Sequence, residues 1–453
     1  MSKVLERRQA GVLLHPTSLP SRRLDADVER WLDFMQRAGL RVWQMLPLVV
    51  PDHTGSPYQS CSAFAADPAL LAAAPEPQCG AHELAAFRER EADWLIDYAR
   101  FEVIRELQGD GAWYDWPTPL RDRDPQAIAE LDREHAGAIS RVIEQQFLLE
   151  CRWQSIRAEA AERDILLFGD MPIFVALDSA DVWAQRDQFL LDENGQPTYV
   201  AGVPPDYFSE TGQRWGNPHY NWEAMQADGF RWWKSRLRRQ FDWFDIVRLD
   251  HFRGLVASWM IPADCETAID GFWQDTPGEA LLAALREHFP QLSIVAEDLG
   301  IITPEVTALR KQFHLPGMAV LQFAFDAFED NPHKPVNIST DTVAYTGTHD
   351  NNTTRGWFDS LDAGSREFVY SLLEGKPDDD PVQLLIQRAL QTDAELVVLP
   401  LQDILGLGAQ ARMNTPGESE GNWHWRFDWA DIQEAHATGL RALIENTGRL
   451  HDR

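Results

Sequence analysis

Five acidic residues stand at the ends of short apolar runs in this chain: Asp170 in FGDMP, Asp250 in VRLDHF, Glu297 in VAEDLG, Asp350 in GTHDN and Asp403 in PLQD. One carboxylate in such a place caps a helix as readily as it does chemistry, but five together point to a common site. Arg248 lies two residues before Asp250. The two-residue period of an extended strand puts both on one side, where the guanidinium would keep Asp250 ionised. Glu297 stands in the apolar context IVAEDLG, where desolvation raises a carboxyl pKa and favours the protonated form. An anionic carboxylate facing a protonated one is what glycosidic bond chemistry requires: one attacks the anomeric carbon while the other protonates the departing oxygen. Asp250 suits the nucleophile, and Glu297 suits the acid that later acts as base. Asp350, next to His349 in a loop rich in hydrogen-bonding residues, suits stabilisation of the oxocarbenium-like charge. Such a nucleophile and acid would lie about 5 to 5.5 Å apart and retain the anomeric configuration.

The elements that must position these groups are legible as eight apolar runs, beginning at Gly11, Val42, Ile165, Ile246, Ser293, Met318, Thr342 and Leu396. Near-continuous apolar strands imply a parallel sheet covered on both faces. Amphipathic stretches such as VERWLDFMQRA, FRWWKSRLRRQF, EALLAALREHF and VQLLIQRALQ lie between several of them, and Pro304 after Thr303 marks a helix start. Eight strands alternating with helices indicate an α/β fold, the (β/α)8 TIM barrel, whose C-terminal mouth gathers residues from the strand ends. The competing doubly wound sheet lacks its signatures here, since no GxGxxG turn follows the first strand and no GxxxxGK[ST] loop occurs. Residues 1–453 are accordingly read as a single catalytic barrel closed by the helix WADIQEAHATGLRALIENTGRL. Two connections are too long for simple crossovers. Residues 52–164, after the second strand, read as a mostly helical inserted subdomain, and residues 177–228, after the third, as a long inserted loop.

Composition narrows the partners. The 71 acidic against 41 basic residues leave a net charge of −30, which disfavours nucleic acid and anionic membranes as partners. At 44% hydrophobic and 25% charged the chain is an ordinary globular protein. The longest apolar stretches fall short of a bilayer span, and His15 and Pro16 interrupt the N-terminal apolar run before any small-residue cleavage site, so a cytoplasmic location is expected. Cys61, Cys79, Cys151 and Cys265 form no CxxC pair and are expected to be free buried thiols. The 18 Trp residues fit a protein that stacks indoles on sugar rings, although most will be core.

RLDH, AEDLG and THDN, in this order, resemble the three catalytic segments of the α-amylase superfamily. GSPYQSCSAFA from Gly55, GDMPIFVALDSADVW from Gly169, GVPPDYFSETGQRWGNPHYNW from Gly202 and MNTPGESEGNWHWR from Met413 narrow the resemblance to glycoside hydrolase family 77. These are the 4-α-glucanotransferases known as amylomaltase or disproportionating enzyme. The resemblance implies transfer of an α-1,4-glucan segment between malto-oligosaccharides, by double displacement through a covalent glucosyl-Asp intermediate, without metal or organic cofactor. Carried across, Asp250 is nucleophile, Glu297 acid/base and Asp350 stabiliser. Arg248, His349 and Asp170 would contact the −1 sugar or the nucleophile, with Ser56, Tyr58 and Asn414 binding substrate beside them. Pro205, Asp206, Tyr207, Phe208 and Trp215 would form a flap over the acceptor side, keeping water away until a second sugar arrives. The sequence departs from the family in a shorter helical insertion and in Asp67, where Asn is usual.

Other chemistries use similar residues. An α-glucan hydrolase would have the same carboxylates with water as acceptor. A Mg-dependent enolase-type barrel could ligate metal through Asp170, Asp250 and Glu297, but Lys234, Lys311 and Lys334 are not at strand ends and Arg248 would compete with a cation. A non-catalytic glucan-binding protein would have no need of an intact acidic trio.

Overall fold

The structure, a computed structural model, describes residues 7–71, 79–205, 209–418 and 420–450. Eight parallel strands form the central sheet: β1 (Gln9–Leu13), β2 (Val42–Gln44), β3 (Leu166–Met171), β6 (Ile246–Leu249), β9 (Ile294–Ala296), β10 (Gly317–Val320), β11 (Thr342–Tyr345) and β12 (Leu396–Pro400). Their order is β10-β11-β12-β1-β2-β3-β6-β9, and the Ala296 N–H donates to the Pro316 carbonyl at 2.8 Å where the two ends meet. All eight sequence-expected strands are present, as the inner layer of a (β/α)8 barrel. Leu13, Phe168, Ile246, Val295, Val320, Val343, Tyr345 and Val398 belong to the cluster that fills the barrel, while a second, larger cluster joins the strands to the surrounding helices. Gly169 shows how closely that outer layer packs. A Cβ there would lie 2.2 Å from the Phe244 ring, so only glycine lets Phe244 sit against β3 beside Asp170.

The segment 52–164 contains helices Ala81–Arg90, Leu95–Leu107, Thr118–Arg121, Pro125–Glu134 and the long Ala136–Glu162, which leads into β3. A buried ion network docks these helices on the barrel. Glu150 and Arg239 pair at 2.7 Å and Glu91 with Arg238 at 2.9 Å, while Trp94 Nε1 donates to Glu91 and Trp243 Nε1 to Glu150. Burial alone would raise the Glu91 pKa, but Arg238, Arg239, Trp94 and Arg90 outweigh it and hold the carboxylate at about 2.

Two expectations are corrected. Residues 177–228 are not a loop. They hold helices Ala180–Ala184 and Trp222–Ala227 and two strands, β4 (Tyr199–Val203) and β5 (Gln213–Pro218). These join β7 (Ala257–Pro262) and β8 (Phe272–Asp275) in an antiparallel sheet of order β5-β4-β7-β8. Their Gly- and Pro-containing sequences, YVAGV and QRWGNP, carry no strand periodicity of their own; their order comes from pairing, β4 with β7 some 60 residues later and β5 with β4. The cysteines also differ from expectation: Cys79 and Cys151 form a disulfide, and Cys61 and Cys265 are free, Cys61 buried and Cys265 half-buried. The pairing joins positions 72 residues apart that approach only after the long helix packs on the segment preceding Ala81–Arg90, so spacing could not reveal it.

Candidate active site

Asp170 lies within β3, Asp250 and Glu297 directly follow β6 and β9, and Asp350 stands in the loop after β11. Arg248, near the end of β6, points into the barrel mouth and is 5% exposed. Its Nη1 donates to both Asp170 oxygens at 2.8 Å, and its Nη2 lies 2.7 Å from Asp250 Oδ1. One guanidinium thus serves two carboxylates, the geometry that Arg's planar fork provides and Lys cannot. Burial raises the Asp170 pKa, opposed chiefly by Arg248. Asp250 remains partly open to the cleft, at 28% side-chain exposure against 1% for Asp170.

The turn after β6 also grips the other carboxyl. His251 takes a left-handed backbone conformation, φ +49°, and its N–H donates to Glu297 Oε2 at 2.7 Å, while Leu299 N–H donates to Oε1 at 3.0 Å. Phe252 N–H bonds the Glu297 carbonyl at 3.0 Å. A non-glycine residue at positive φ costs energy, and here the strain aims a backbone donor at a carboxylate. Desolvation nevertheless dominates: with the Asp250 charge it pushes Glu297 up to about 7, against the pull of Arg248 and the two N–H groups. The site therefore holds two carboxylates paired to one guanidinium and, gripped by the turn after β6, a third carboxyl whose pKa is pushed to about 7.

Tyr58 and His349 form the opposite wall. Tyr58 Oη donates to Asp170 Oδ2 at 2.8 Å and lies 2.9 Å from His349 Nε2, the rings near-parallel at 11°. With the tyrosine proton on Asp170, the second bond requires the proton of His349 on Nε2, which also lies 3.3 Å from Asp350 Oδ1. Asp350 is held further by Asn414 Nδ2, donating to Oδ1 at 2.6 Å, and by Arg412, donating to its carbonyl at 2.6 Å. Ser56 does its bonding inside its own turn. Its N–H donates to Asp52 Oδ1 and its Oγ accepts from Tyr58 N–H, so it shapes the loop that presents Tyr58. Trp215 lies on β5 with its indole edge-on to His251 at 4.9 Å, beside the candidate nucleophile. Asp206, Tyr207 and Phe208 lie outside the described residues.

Asp403 departs from the expected convergence. It is 1% exposed and accepts hydrogen bonds from Thr346 Oγ1, Thr354 Oγ1 and Thr354 N–H, each at 2.7 Å. These are the two ends of the loop carrying His349 and Asp350, so Asp403 braces that loop from behind. Sequence reasoning also missed Trp423, whose ring is 5.9 Å from Tyr58 and 6.0 Å from His349, and Arg412. No periodic signal marks either. His15, just after β1, was findable by the strand-end reading applied to the acids; it is buried near His349, and desolvation lowers its pKa to about 3. Among the described residues no group of three or more His, Cys, Asp and Glu side chains is placed to hold a metal ion, and Arg248 bridges two of the three carboxylates that an enolase-type cation would need.

The family model described as 4-alpha-glucanotransferase matches residues 14–77 and 73–431. The 4-alpha-glucanotransferase of Thermus thermophilus is 42% identical across 98% of this chain and 99% of its own. The chloroplastic/amyloplastic 4-alpha-glucanotransferase of Solanum tuberosum is 39% identical across 98% of this chain and 87% of its own. The amylomaltase from Streptococcus agalactiae, solved in complex with acarbose, superposes with a TM-score of 0.94 at 30% identity, covering 98% of this chain and all of that one.

Proposed function

Because the chain belongs to the 4-alpha-glucanotransferase family, we propose that its barrel mouth moves α-1,4-glucan segments between malto-oligosaccharides by two displacements at one anomeric carbon. In the first, an Asp250 oxygen attacks the anomeric carbon, the glycosidic C–O bond breaks, and Glu297 gives its proton to the departing 4-oxygen. In the second, the Glu297 carboxylate takes the proton of an incoming 4-hydroxyl. The acceptor oxygen bonds the anomeric carbon, Asp250 is released, and the configuration is retained. Asp350 stabilises the positive charge that develops on the sugar ring in both steps. Arg248, Asp170, His349 and Tyr58 hold the −1 sugar, and Arg248 also orients Asp250, while Ser56 and Asn414 support the loops beside it. The strand β5 that carries Trp215 belongs to the cover over the acceptor side.

The observation that carries this reading is the contrast between the two carboxyls: Asp250 is paired at 2.7 Å to a buried arginine, while Glu297 is pushed to about 7. Opposite protonation at one pH is what the first displacement demands. Donor and acceptor are both α-glucans, no metal or organic cofactor takes part, and the reaction belongs in the cytoplasm. No helix among the described residues is long and apolar enough to cross a membrane.

The test is incubation with maltotriose alone in EDTA, with products resolved by chain length. Glucose plus a ladder of longer oligomers is the expected result, and Asp250→Asn should abolish it. Glucose and maltose without a ladder would identify water as the acceptor and overturn the transfer reading.

A further inference from the structure

The strand β5 presents Trp215 on a bulge, and side chains from outside the sheet hold that bulge in place. In the order β5-β4-β7-β8 the strand is an edge, paired only with β4. Val200 faces Pro218 and Gly202 faces Arg214, so Trp215, Gly216 and Asn217 stand against the single residue Ala201. Gly216 takes the left-handed φ of +83° that the bulge requires. Gln59, the neighbour of Tyr58, reaches across to this interruption of the ladder. Its Nε2 donates to the Trp215 carbonyl at 3.3 Å and to Asn217 Oδ1 at 3.0 Å. Asn217 Nδ2 donates back to Gln59 Oε1 at 3.4 Å and to the Val175 carbonyl at 2.8 Å. The two amides thus clasp the bulge to the segment after β2 and to the segment after β3. Asn217 is only 4% exposed, where an amide left without partners is costly, so the clasp is built into the fold. Its two ends lead to different parts of the site. Tyr58 bonds Asp170 and His349, while Trp215 packs on His251, whose N–H holds Glu297.

We propose that Gln59 and Asn217 are positioning residues that set the ratio of transfer to hydrolysis, by keeping Trp215 seated on His251. The proposal rests on the glucanotransferase reading and names what makes that site favour a sugar over water. After the first displacement the glucan is esterified to Asp250, and Glu297 is ionised. Water can then take the place of the acceptor: its oxygen bonds the anomeric carbon, one proton passes to Glu297 and Asp250 is released. Water needs only a gap beside the ester, whereas an acceptor glucan also draws binding from its rings, so a loosened Trp215 admits water without helping a sugar. The bonds of the clasp reach none of the three carboxyl groups Asp250, Glu297 and Asp350, so cleavage of the donor does not depend on it.

The experiment follows maltotriose with the wild type, Gln59→Met and Asn217→Ser, measuring total consumption and new reducing ends together. Transfer conserves the number of reducing ends, and each hydrolysis adds one. The expected result for Gln59→Met, which keeps the side-chain length and removes the amide, is a rise of about five- to ten-fold in the ratio of hydrolysis to transfer, with consumption as in the wild type. Asn217→Ser should raise the ratio as well; if it does not fold, Gln59→Met decides alone. In a Trp215→Ala background Gln59→Met should add nothing, and effects that add independently would overturn the proposal. An unchanged ratio overturns it too. So does a fall in consumption at an unchanged ratio, which would mean that Gln59 acts through Tyr58 instead. A wild type that yields no ladder from maltotriose refutes the glucanotransferase reading itself, and a ladder with an unmoved ratio refutes only the clasp.

Discussion

Replacing Glu297 by Gln should make the protein more resistant to heat as the pH rises, at the expense of its chemistry. Burial and the Asp250 charge raise the Glu297 pKa from 4.5 to about 7. Below pH 4.5 the group is protonated in folded and unfolded chains alike and contributes no pH dependence. Between 4.5 and 7 the unfolded chain has released the proton and the folded one keeps it, so stability falls as pH rises, by 1.36 kcal/mol for each unit. Above 7 the wild type carries the full cost of an ionised, desolvated carboxylate, about 3 kcal/mol. Gln does not titrate, so the variant escapes that cost. Its amide NH2 must oppose either the His251 or the Leu299 N–H, which adds a penalty independent of pH. The slope is therefore the readout. For a chain of this length, about 3 kcal/mol corresponds to about 3 °C in melting temperature. Calorimetry of both proteins from pH 4.5 to 8 should show the variant gaining about that much on the wild type, with most of the change before pH 7.5. A difference constant across the range, or one moving the other way, would refute the assignment of Glu297 as the desolvated acid. In the same variant kcat on maltotriose should fall by at least about a hundred-fold, the usual scale for losing a general acid. The wild-type rate should decline as pH rises through about 7 and the proton is lost.

Asp403→Asn should lower kcat ten- to hundred-fold without touching substrate, because the loop bearing His349 and Asp350 loses the brace that binds Thr346 and Thr354; Thr346→Val should lower it less, as steady-state kinetics will show. Arg248→Met strands Asp170 and Asp250 without their shared cation, and denaturation at pH 7 should reveal a loss of about 3 to 5 kcal/mol. Cys151→Ser opens a closed loop of 72 residues and should reduce stability by roughly 4 kcal/mol. A thiol reductant should reproduce that loss in the wild type and add nothing in the variant.

Much of the barrel and the acidic site was readable from local pattern. Strands buried on both faces must be apolar along their whole length, so all eight stood out, and the two-residue period alone placed Arg248 on the side of Asp250. The apolar context of Glu297 likewise foretold its raised pKa, since desolvation acts through immediate neighbours. Asp403 shows where such reading stops. Its setting in PLQD matches the other strand-end acids, and only the meeting of β12 with a loop some 50 residues earlier turns it into a brace rather than a member of the cleft.

The sequence by itself determined which residues can ionise, which segments must be buried and which side of a strand each residue takes, because these follow from side-chain chemistry and backbone period. Tertiary structure decided the rest. It divided one guanidinium between Asp170 and Asp250, turned the His251 N–H toward Glu297, joined Cys79 to Cys151 and built an antiparallel sheet from segments without strand periodicity. Each of these depends on contacts between residues 46 to 78 positions apart, or on a strained backbone angle that only the packed surroundings can hold.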